Sequence, residues 1–130
     1  MSKNFLRIAF IFAFLGVVLG AFAAHGLKSH LSEYQISIFQ TGVRYQFYHT
    51  FAIMATWLLS AHLSLKLSRW AAICFSIGIL LFSGSLYGLA CYELVGISKA
   101  ILGPLTPIGG VFFIVGWIFL FLGSFHKKVS

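Results

Sequence analysis

Acidic residues are almost absent from this sequence, which contains only Glu33 and Glu93 among its 130 residues. Charged residues of both signs make up 8% of the chain, whereas a soluble domain contains about 25%. Hydrophobic residues make up 60%, and the mean hydropathy is +0.98. So few charges cannot cover the surface of a water-soluble fold of this size. We therefore predict an integral membrane protein, and the length suits a single domain.

A clustered basic patch is also missing, although the formal net charge is +7. The lysines and arginines stand singly or in pairs between apolar blocks, which is the pattern of topology signals in membrane proteins. A nucleic-acid-binding domain would gather them on one face. We therefore expect no nucleic-acid partner, and membrane lipids as the surroundings of the chain.

Sequence patterns of familiar catalytic chemistry are lacking as well. No carboxylate pair and no phosphate-binding loop is present, so we predict no enzymatic activity and no cofactor. Cys74 and Cys91 fall in one predicted helix, where their separation corresponds to about 25 Å and excludes a disulfide between them. Neither belongs to a Cys-x-x-Cys pair, which argues against zinc binding and dithiol redox chemistry.

Four long apolar runs are what the sequence has instead. About 20 apolar residues are enough to cross the hydrocarbon core of a bilayer. The predicted fold class is therefore all-α, an integral membrane four-helix bundle. Its predicted membrane spans are residues 6–24, 43–61, 70–92 and 107–125.

The first run has a competing interpretation as a secretory signal peptide. Basic residues precede it, and an Ala-Phe-Ala sequence at 21–23 fits a cleavage site. However, Gly16-x-x-x-Gly20 extends a series of small residues spaced by three or four, which lie on one helix face. Such a face lets helices pack closely in lipid. A discarded signal has no use for it, so we favour a retained span.

The connection between spans 1 and 2 contains a helix-start signal. Ser32 and Gln35 have the spacing of a capping box, in which each side chain satisfies a free backbone N–H of the first turn. Gly42 follows shortly before the second apolar run. We therefore predict a short interfacial helix here, or an extension of the second span that is interrupted near Gly42.

The second span has one polar or small face and one apolar face at 100° per residue. Because an unpaired polar group in hydrocarbon is costly, the polar face should turn toward other helices. Its members are Thr41, Tyr45, His49, Ala52, Thr56 and Ser60.

The third and fourth spans also carry small-residue faces. Tyr87 lines up with serines of the third span, beside Gly84-x-x-x-Gly88. Glycines recur every seven residues in the fourth span and predict a close-packing seam. Pro107 suits the first turn of that span, where its missing N–H is harmless.

The orientation follows from the basic residues. With the amino terminus inside, six basic residues lie on the inner side and three on the outer side, which favours two cytoplasmic termini in the cell inner (plasma) membrane. Residues 41–49 and the two acids then face outward. The inner residues are Lys3, Arg7, Lys66, Arg69, Lys127 and Lys128, and the outer ones are Lys28, Arg44 and Lys99.

Several short motifs resemble the domain-of-unknown-function family 423. They are Gly-Ala-Phe-Ala-Ala-His-Gly-Leu-Lys at 20–28, Thr-Gly-Val-Arg-Tyr-Gln at 41–46 with Tyr48 and His49, Ser-Gly-Ser-Leu-Tyr at 83–87, and Thr-Pro-Ile-Gly-Gly at 106–110 with Gly116 and Trp117. They cover nearly the whole chain in the same order. The resemblance implies four transmembrane helices in a cytoplasmic or inner membrane. It implies no activity and no catalytic residues.

The remaining site candidates have structural and functional interpretations. The histidines His25, His30 and His49, all expected near the outer side, would either fix the bundle through hydrogen bonds or bind a metal or haem. In the structural interpretation, Arg44 pairs with an outer carboxylate or extends (snorkels) to the headgroups, and in the functional one it binds an anionic lipid headgroup or substrate. The candidate ligand-binding or helix-contact residues are Arg44, Tyr45, Tyr48, His49, His25, Glu93 and Tyr87, and we predict no metal site.

Two hypotheses of function remain. The first is a non-catalytic accessory, assembly or lipid-organising bundle, because small-residue faces on all spans offer surplus packing surface. Its protein partners would be other membrane subunits or further copies of the chain. The alternative is an oligomeric transporter or channel lined by Tyr45, His49, Thr56 and Ser60. Our placement of His49 near the outer end leaves the midplane without an ionisable residue, which weakens the transport hypothesis.

Overall fold

The computed structural model describes residues 1–126, and all regular structure within them is helical. Helices α1, α3 and α5 are long and apolar enough to cross a membrane. Within α3, Ile79–Ser83 forms a π-helical segment between two α-helical parts. The helices are α1 (Lys3–His25), α2 (Glu33–Leu59), α3 (Leu65–Ala90), α4 (Tyr92–Val95) and α5 (Lys99–Gly123).

Successive long helices run antiparallel and pack on one another. α1 packs against α2, α2 against α3, and α3 against α5. The indole of Trp57 donates to the carbonyl of Met1 over 3.2 Å, and the amide of Ser64 donates to the carbonyl of Gly123 over 3.2 Å. The start of α1, the turn after α2 and the end of α5 therefore lie at one end of the bundle.

The two ends of the bundle differ in charge. We call the end just described the basic end, because α1 and α3 carry lysine and arginine near their starts there. We call the other the acidic end, because both acids lie there, Glu33 at the start of α2 and Glu93 in α4, although Lys28 and Lys99 lie beside them. The residues that define the basic end are Lys3, Arg7, Lys66 and Arg69.

Glycines set the spacing between α3 and α5. Gly109, Gly116 and Gly123 are buried and face α3, which confirms the predicted seam. A Cβ at Gly109 would overlap the backbone nitrogen of Phe82. The backbones of α5 and α3 therefore approach each other as only a glycine allows.

The separate interfacial helix predicted before the second span is not formed. The capping box at Ser32 is confirmed, with both of its hydrogen bonds present. The helix that it starts continues through Gly42 to Leu59 without interruption. Gly42 serves packing instead, since a Cβ there would lie 2.7 Å from the ring of Tyr87.

The predicted position of Pro107 in a first helical turn is wrong. α5 begins at Lys99, where the Ser98 side chain accepts a hydrogen bond from the amide of Ala100, and it continues through Pro104 and Pro107. Each proline removes one hydrogen bond to the carbonyl four residues before it. Packing against α3 on both sides of the prolines, at Leu102 and Gly109, offsets that loss.

Candidate functional site

His49 lies near the middle of the bundle rather than near its outer end. It follows the start of α2 by sixteen residues and precedes its end by ten. Its side chain is 5% exposed and stacks on Phe113 of α5 at a centroid distance of 3.5 Å. The predicted depth was wrong because α2 begins at Glu33, ten residues before the expected start of the second span.

Both ring nitrogens of His49 have partners. Nδ1 lies 2.8 Å from the carbonyl oxygen of Tyr45, and the indole N–H of Trp117 donates to Nε2 over 3.2 Å. An indole can only donate, so Nε2 accepts and Nδ1 carries the proton. The contacts hold a neutral imidazole in one tautomer, and neither nitrogen is left to bind a metal.

A second polar contact joins three helices on the other side of α2. The amide nitrogen of Gln46 donates to the carbonyl of Phe12 over 2.7 Å, and its oxygen accepts from the hydroxyl of Tyr87 over 2.6 Å. Gln46 is buried, and the ring of Tyr87 covers Gly42. One side chain of α2 thus links α1 to α3.

The π-helical segment of α3 lies where α3 meets both of its neighbours. The Ser83 hydroxyl donates to the carbonyl of Gly42 in α2 over 2.7 Å. The preceding residue, Phe82, meets Gly109 of α5 through its backbone. π-Helical turns occur often at functional sites, and here the turn coincides with the tightest helix contacts.

The outward side of α2 carries the other polar candidates. Arg44 is exposed, and its guanidinium donates to the Thr41 hydroxyl over 3.1 Å. Thr41 in turn donates to the carbonyl of Ser37 over 2.9 Å. Tyr48 is 57% exposed, and its ring meets that of Tyr45 edge-on at 5.7 Å. We call Ser37, Thr41, Arg44 and Tyr48 the α2 outward stripe.

The expected pairing of Arg44 with a carboxylate is not made. Glu93 accepts a hydrogen bond from its neighbour Tyr92 over 2.6 Å, and Lys99 lies over the Tyr92 ring at 3.8 Å. Glu33 stands eleven residues before Arg44 on α2, which is about 16 Å along the axis. Within residues 1–126, Arg44 therefore has no acidic partner.

The three histidines that were expected near the outer side do not come together. His25 is exposed at the last position of α1, and His30 is exposed in the following loop, whereas His49 is buried farther along α2. In the part of the chain that the structure describes, no three His, Cys, Asp or Glu side chains gather as metal ligands would. The three histidines were expected together only because the predicted start of the second span placed His49 too close to the acidic end.

Three residues of these contacts were not among the predicted candidates. They are Gln46, Ser83 and Trp117. Gln46 had a visible signal, because it is an amide inside an apolar run. Ser83 and Trp117 had weaker ones, since serine and tryptophan are ordinary residues of membrane helices. Their roles depend on contacts between distant helices.

Long apolar helices, packed antiparallel and linked by buried polar contacts, define an integral membrane protein with transmembrane helices. The family described as "Protein of unknown function (DUF423)" matches residues 19–110. The chain belongs to this family.

Curated relatives match the chain over nearly its whole length. A UPF0382 membrane protein of Haemophilus influenzae is 44% identical over 98% of each chain. A UPF0382 membrane protein of Staphylococcus saprophyticus is 39% identical over 95% of this chain and 98% of its own. The UPF0382 inner membrane protein YgdD of Escherichia coli is 36% identical over 98% of this chain and 95% of its own. No solved structure matches the chain.

Proposed function

We propose that α2 crosses the membrane together with α1, α3 and α5, which makes a four-span bundle. α2 has 27 residues, or about 40 Å, and the hydrocarbon core is about 30 Å thick. Two of its buried polar residues, Gln46 and His49, contact the flanking helices rather than lipid. Packing inside the bundle therefore allows α2 to cross the membrane although its own hydropathy is low.

We also propose that the basic end lies in the cytoplasm. Four basic residues near the starts of α1 and α3 stand at that end, whereas two, Lys28 and Lys99, stand at the other. The bias of lysine and arginine sets orientation in membrane proteins. The antiparallel helices bring the start of α1 and the end of α5 to this same side.

Within this architecture, the proposed function is that of a non-catalytic accessory or assembly bundle that works through its surface. The observation that carries the proposal is that interior polar side chains form hydrogen bonds within the chain itself. Gln46, His49 and Ser83 are all engaged by backbone or side-chain partners of the chain itself. Groups that hold helices together cannot bind substrate without breaking those helix contacts.

The geometry gives less support to the channel alternative. Of its expected lining, His49 and Thr56 are buried in helix contacts, and the Thr56 hydroxyl donates to the carbonyl of Ala52 over 2.6 Å. Tyr45 lies one turn from His49 on the same side of α2, and its ring packs against Phe82 and Phe113. Contacts within the chain therefore occupy most of this face, which leaves little of it for further copies to close into a pore.

The test is purification in nanodiscs from cells that express the protein at its native level. Mass spectrometry then gives the particle mass, the accompanying proteins and the lipids. We expect a particle that contains at least one other membrane protein in fixed ratio. A particle made only of this chain, with ion or solute flux in liposomes that His49→Ala abolishes, would instead favour the channel.

A further inference from the structure

The α2 outward stripe is polar where the other outward helix faces are apolar. α1 exposes residues such as Phe14 and Val17, and α5 exposes Ile114 and Phe121. The stripe instead presents two hydroxyls, a guanidinium and a phenol, spaced by four, three and four residues. That spacing places them on one side of the helix.

The register between α1 and α2 gives the depth of the stripe. Val43 lies opposite Gly20 of α1, since a Cβ added at Gly20 would meet the Val43 side chain at 3.5 Å, and Gly20 is five residues from the end of α1. Arg44 therefore lies about 9 Å inside that end, and Tyr48 about 15 Å inside it. We take the end of α1 as the edge of the hydrocarbon core, whose half-thickness is about 15 Å, and the stripe then runs from the acidic end to the middle of the membrane.

Such a stripe requires a partner. A charged side chain within the hydrocarbon faces a cavity, another charge or a neighbouring helix, because hydrocarbon offers it nothing. Within residues 1–126, Arg44 donates only to Thr41, and the hydroxyl of Tyr48 makes no hydrogen bond. The hydroxyls of Ser37 and Thr41 donate to carbonyls of α2 itself, so the groups left for something outside the chain are the guanidinium of Arg44 and the hydroxyl of Tyr48.

The different depths of Arg44 and Tyr48 distinguish between the possible partners of the stripe. An arginine can extend to a lipid phosphate at the surface, which would satisfy Arg44 but not Tyr48 one turn deeper. A second copy related by a two-fold axis would place Arg44 against Arg44, since such an interface joins the same patch of both copies. The two carboxylates of a second copy would lie at the acidic end, away from this depth.

We propose that the α2 outward stripe docks a transmembrane helix of a different protein. That helix carries an aspartate or glutamate at the depth of Arg44 and a hydrogen-bond acceptor one turn deeper, opposite Tyr48. The inference rests on the proposed accessory function and specifies which side chains the partner must carry. A carboxylate forms two parallel hydrogen bonds with a guanidinium, and desolvation strengthens the pair at this depth.

The first experiment is photo-crosslinking in native membranes. Phe51→p-benzoylphenylalanine places the reactive group on the same side of α2, just below Tyr48, and Phe14→p-benzoylphenylalanine is the control on α1. We expect a protein adduct from position 51 whose crosslinked transmembrane segment contains an aspartate or glutamate. Adducts with lipid alone, with a second copy, or with a segment that lacks an acid would overturn the proposal.

Charge exchange then tests the pair itself. Arg44→Glu should lower the yield of the adduct by about tenfold or more, because truncating or reversing one partner of a buried pair costs at least that factor. Replacing the partner's acid by arginine should restore it. Lys28→Gln, at the acidic end, is the control and should change nothing. Tyr48→Phe repeats the test without altering charge and should lower the yield several-fold.

The outcomes separate the inference from the function on which it rests. A co-purifying complex that survives Arg44→Glu and Tyr48→Phe, with both variants folded, overturns the docking proposal and leaves the accessory function standing. The absence of any co-purifying membrane protein overturns both. If Arg44→Glu does not insert, Tyr48→Phe decides, and an unchanged adduct yield counts against the proposal.

Discussion

At His49 the hydrogen-bond direction is set by a neighbour rather than by the histidine. Trp117 can only donate, so it holds Nε2 as an acceptor and leaves Nδ1 to donate to Tyr45. A proton on Nε2 would face the indole N–H. The stack on Phe113 closes one ring face as well. This is the environment of a structural histidine.

Trp117→Phe should therefore destabilise the bundle. It keeps an aromatic ring against Phe75 but leaves Nε2 of His49 without a donor. An unsatisfied buried acceptor costs about 1 to 3 kcal/mol. Thermal unfolding in mild detergent measures the loss. Trp70→Phe is the control, because Trp70 is as exposed as Trp117 but its indole donates no hydrogen bond within residues 1–126. Equal effects of the two substitutions would contradict this role for Trp117.

Tyr87→Phe should have a similar cost on the other side of α2. It preserves the ring over Gly42 and removes the hydroxyl that donates to Gln46. We expect a loss of about 1 to 3 kcal/mol, since the Gln46 oxygen is then buried without a donor. Tyr34→Phe serves as the control, because Tyr34 is 75% exposed. A Tyr87→Phe protein as stable as that control would rule out the Gln46 contact.

At the scale of elements, the sequence predicted the features that depend on neighbouring residues, but not those that depend on contacts between helices. The capping box at Ser32 and the glycine seam of α5 follow from short-range patterns, and both are present. Gly42 and Pro107 look like helix boundaries in the sequence, yet both lie inside helices. Packing across helices overrides these local preferences, because burying a long helix face contributes more than one poor residue costs.

The adjacent glycines of α5 offer a matched test of the α3–α5 contact. Gly109→Ala places a Cβ against the backbone of Phe82, whereas the nearest neighbour of a Cβ at Gly110 is the Phe82 side chain at 3.9 Å. Overpacking costs about 1 to 3 kcal/mol, so Gly109→Ala should unfold at lower temperature. Gly110→Ala should match the parent or exceed it, because alanine favours helix. The reverse order would contradict the described packing.

At the scale of the whole molecule, the composition predicted a membrane protein. The sequence did not predict how deep individual residues lie within the bundle. Scarce charge and long apolar runs identify the class of protein. The position of His49 depended on where α2 begins, and the polar first turns of α2 hid that start. A helix that is polar at one end gives no hydropathy signal for its own limits. The partners of Gln46 and Trp117 likewise depend on helix order.

The proposed topology predicts the accessibility of single cysteines in Cys74→Ser, Cys91→Ser protein. Ser29→Cys, in the loop after α1, should react with a membrane-impermeant thiol reagent added to spheroplasts. Ser64→Cys, beside Gly123 at the basic end, should react only after the membrane is opened. The reverse pattern would place the basic end outside and contradict the bias of lysine and arginine.

The central claim is that interior polar residues hold the bundle while its outward surface does the work. The direct measurement is unfolding temperature and retained partner protein, taken together on Tyr87→Phe and Arg44→Gln in nanodiscs. We predict that Tyr87→Phe lowers the unfolding temperature and keeps the partner below it, whereas Arg44→Gln keeps the unfolding temperature and loses the partner. A Tyr87→Phe protein that stays folded yet loses the partner, beside an Arg44→Gln protein that retains it, would contradict the claim.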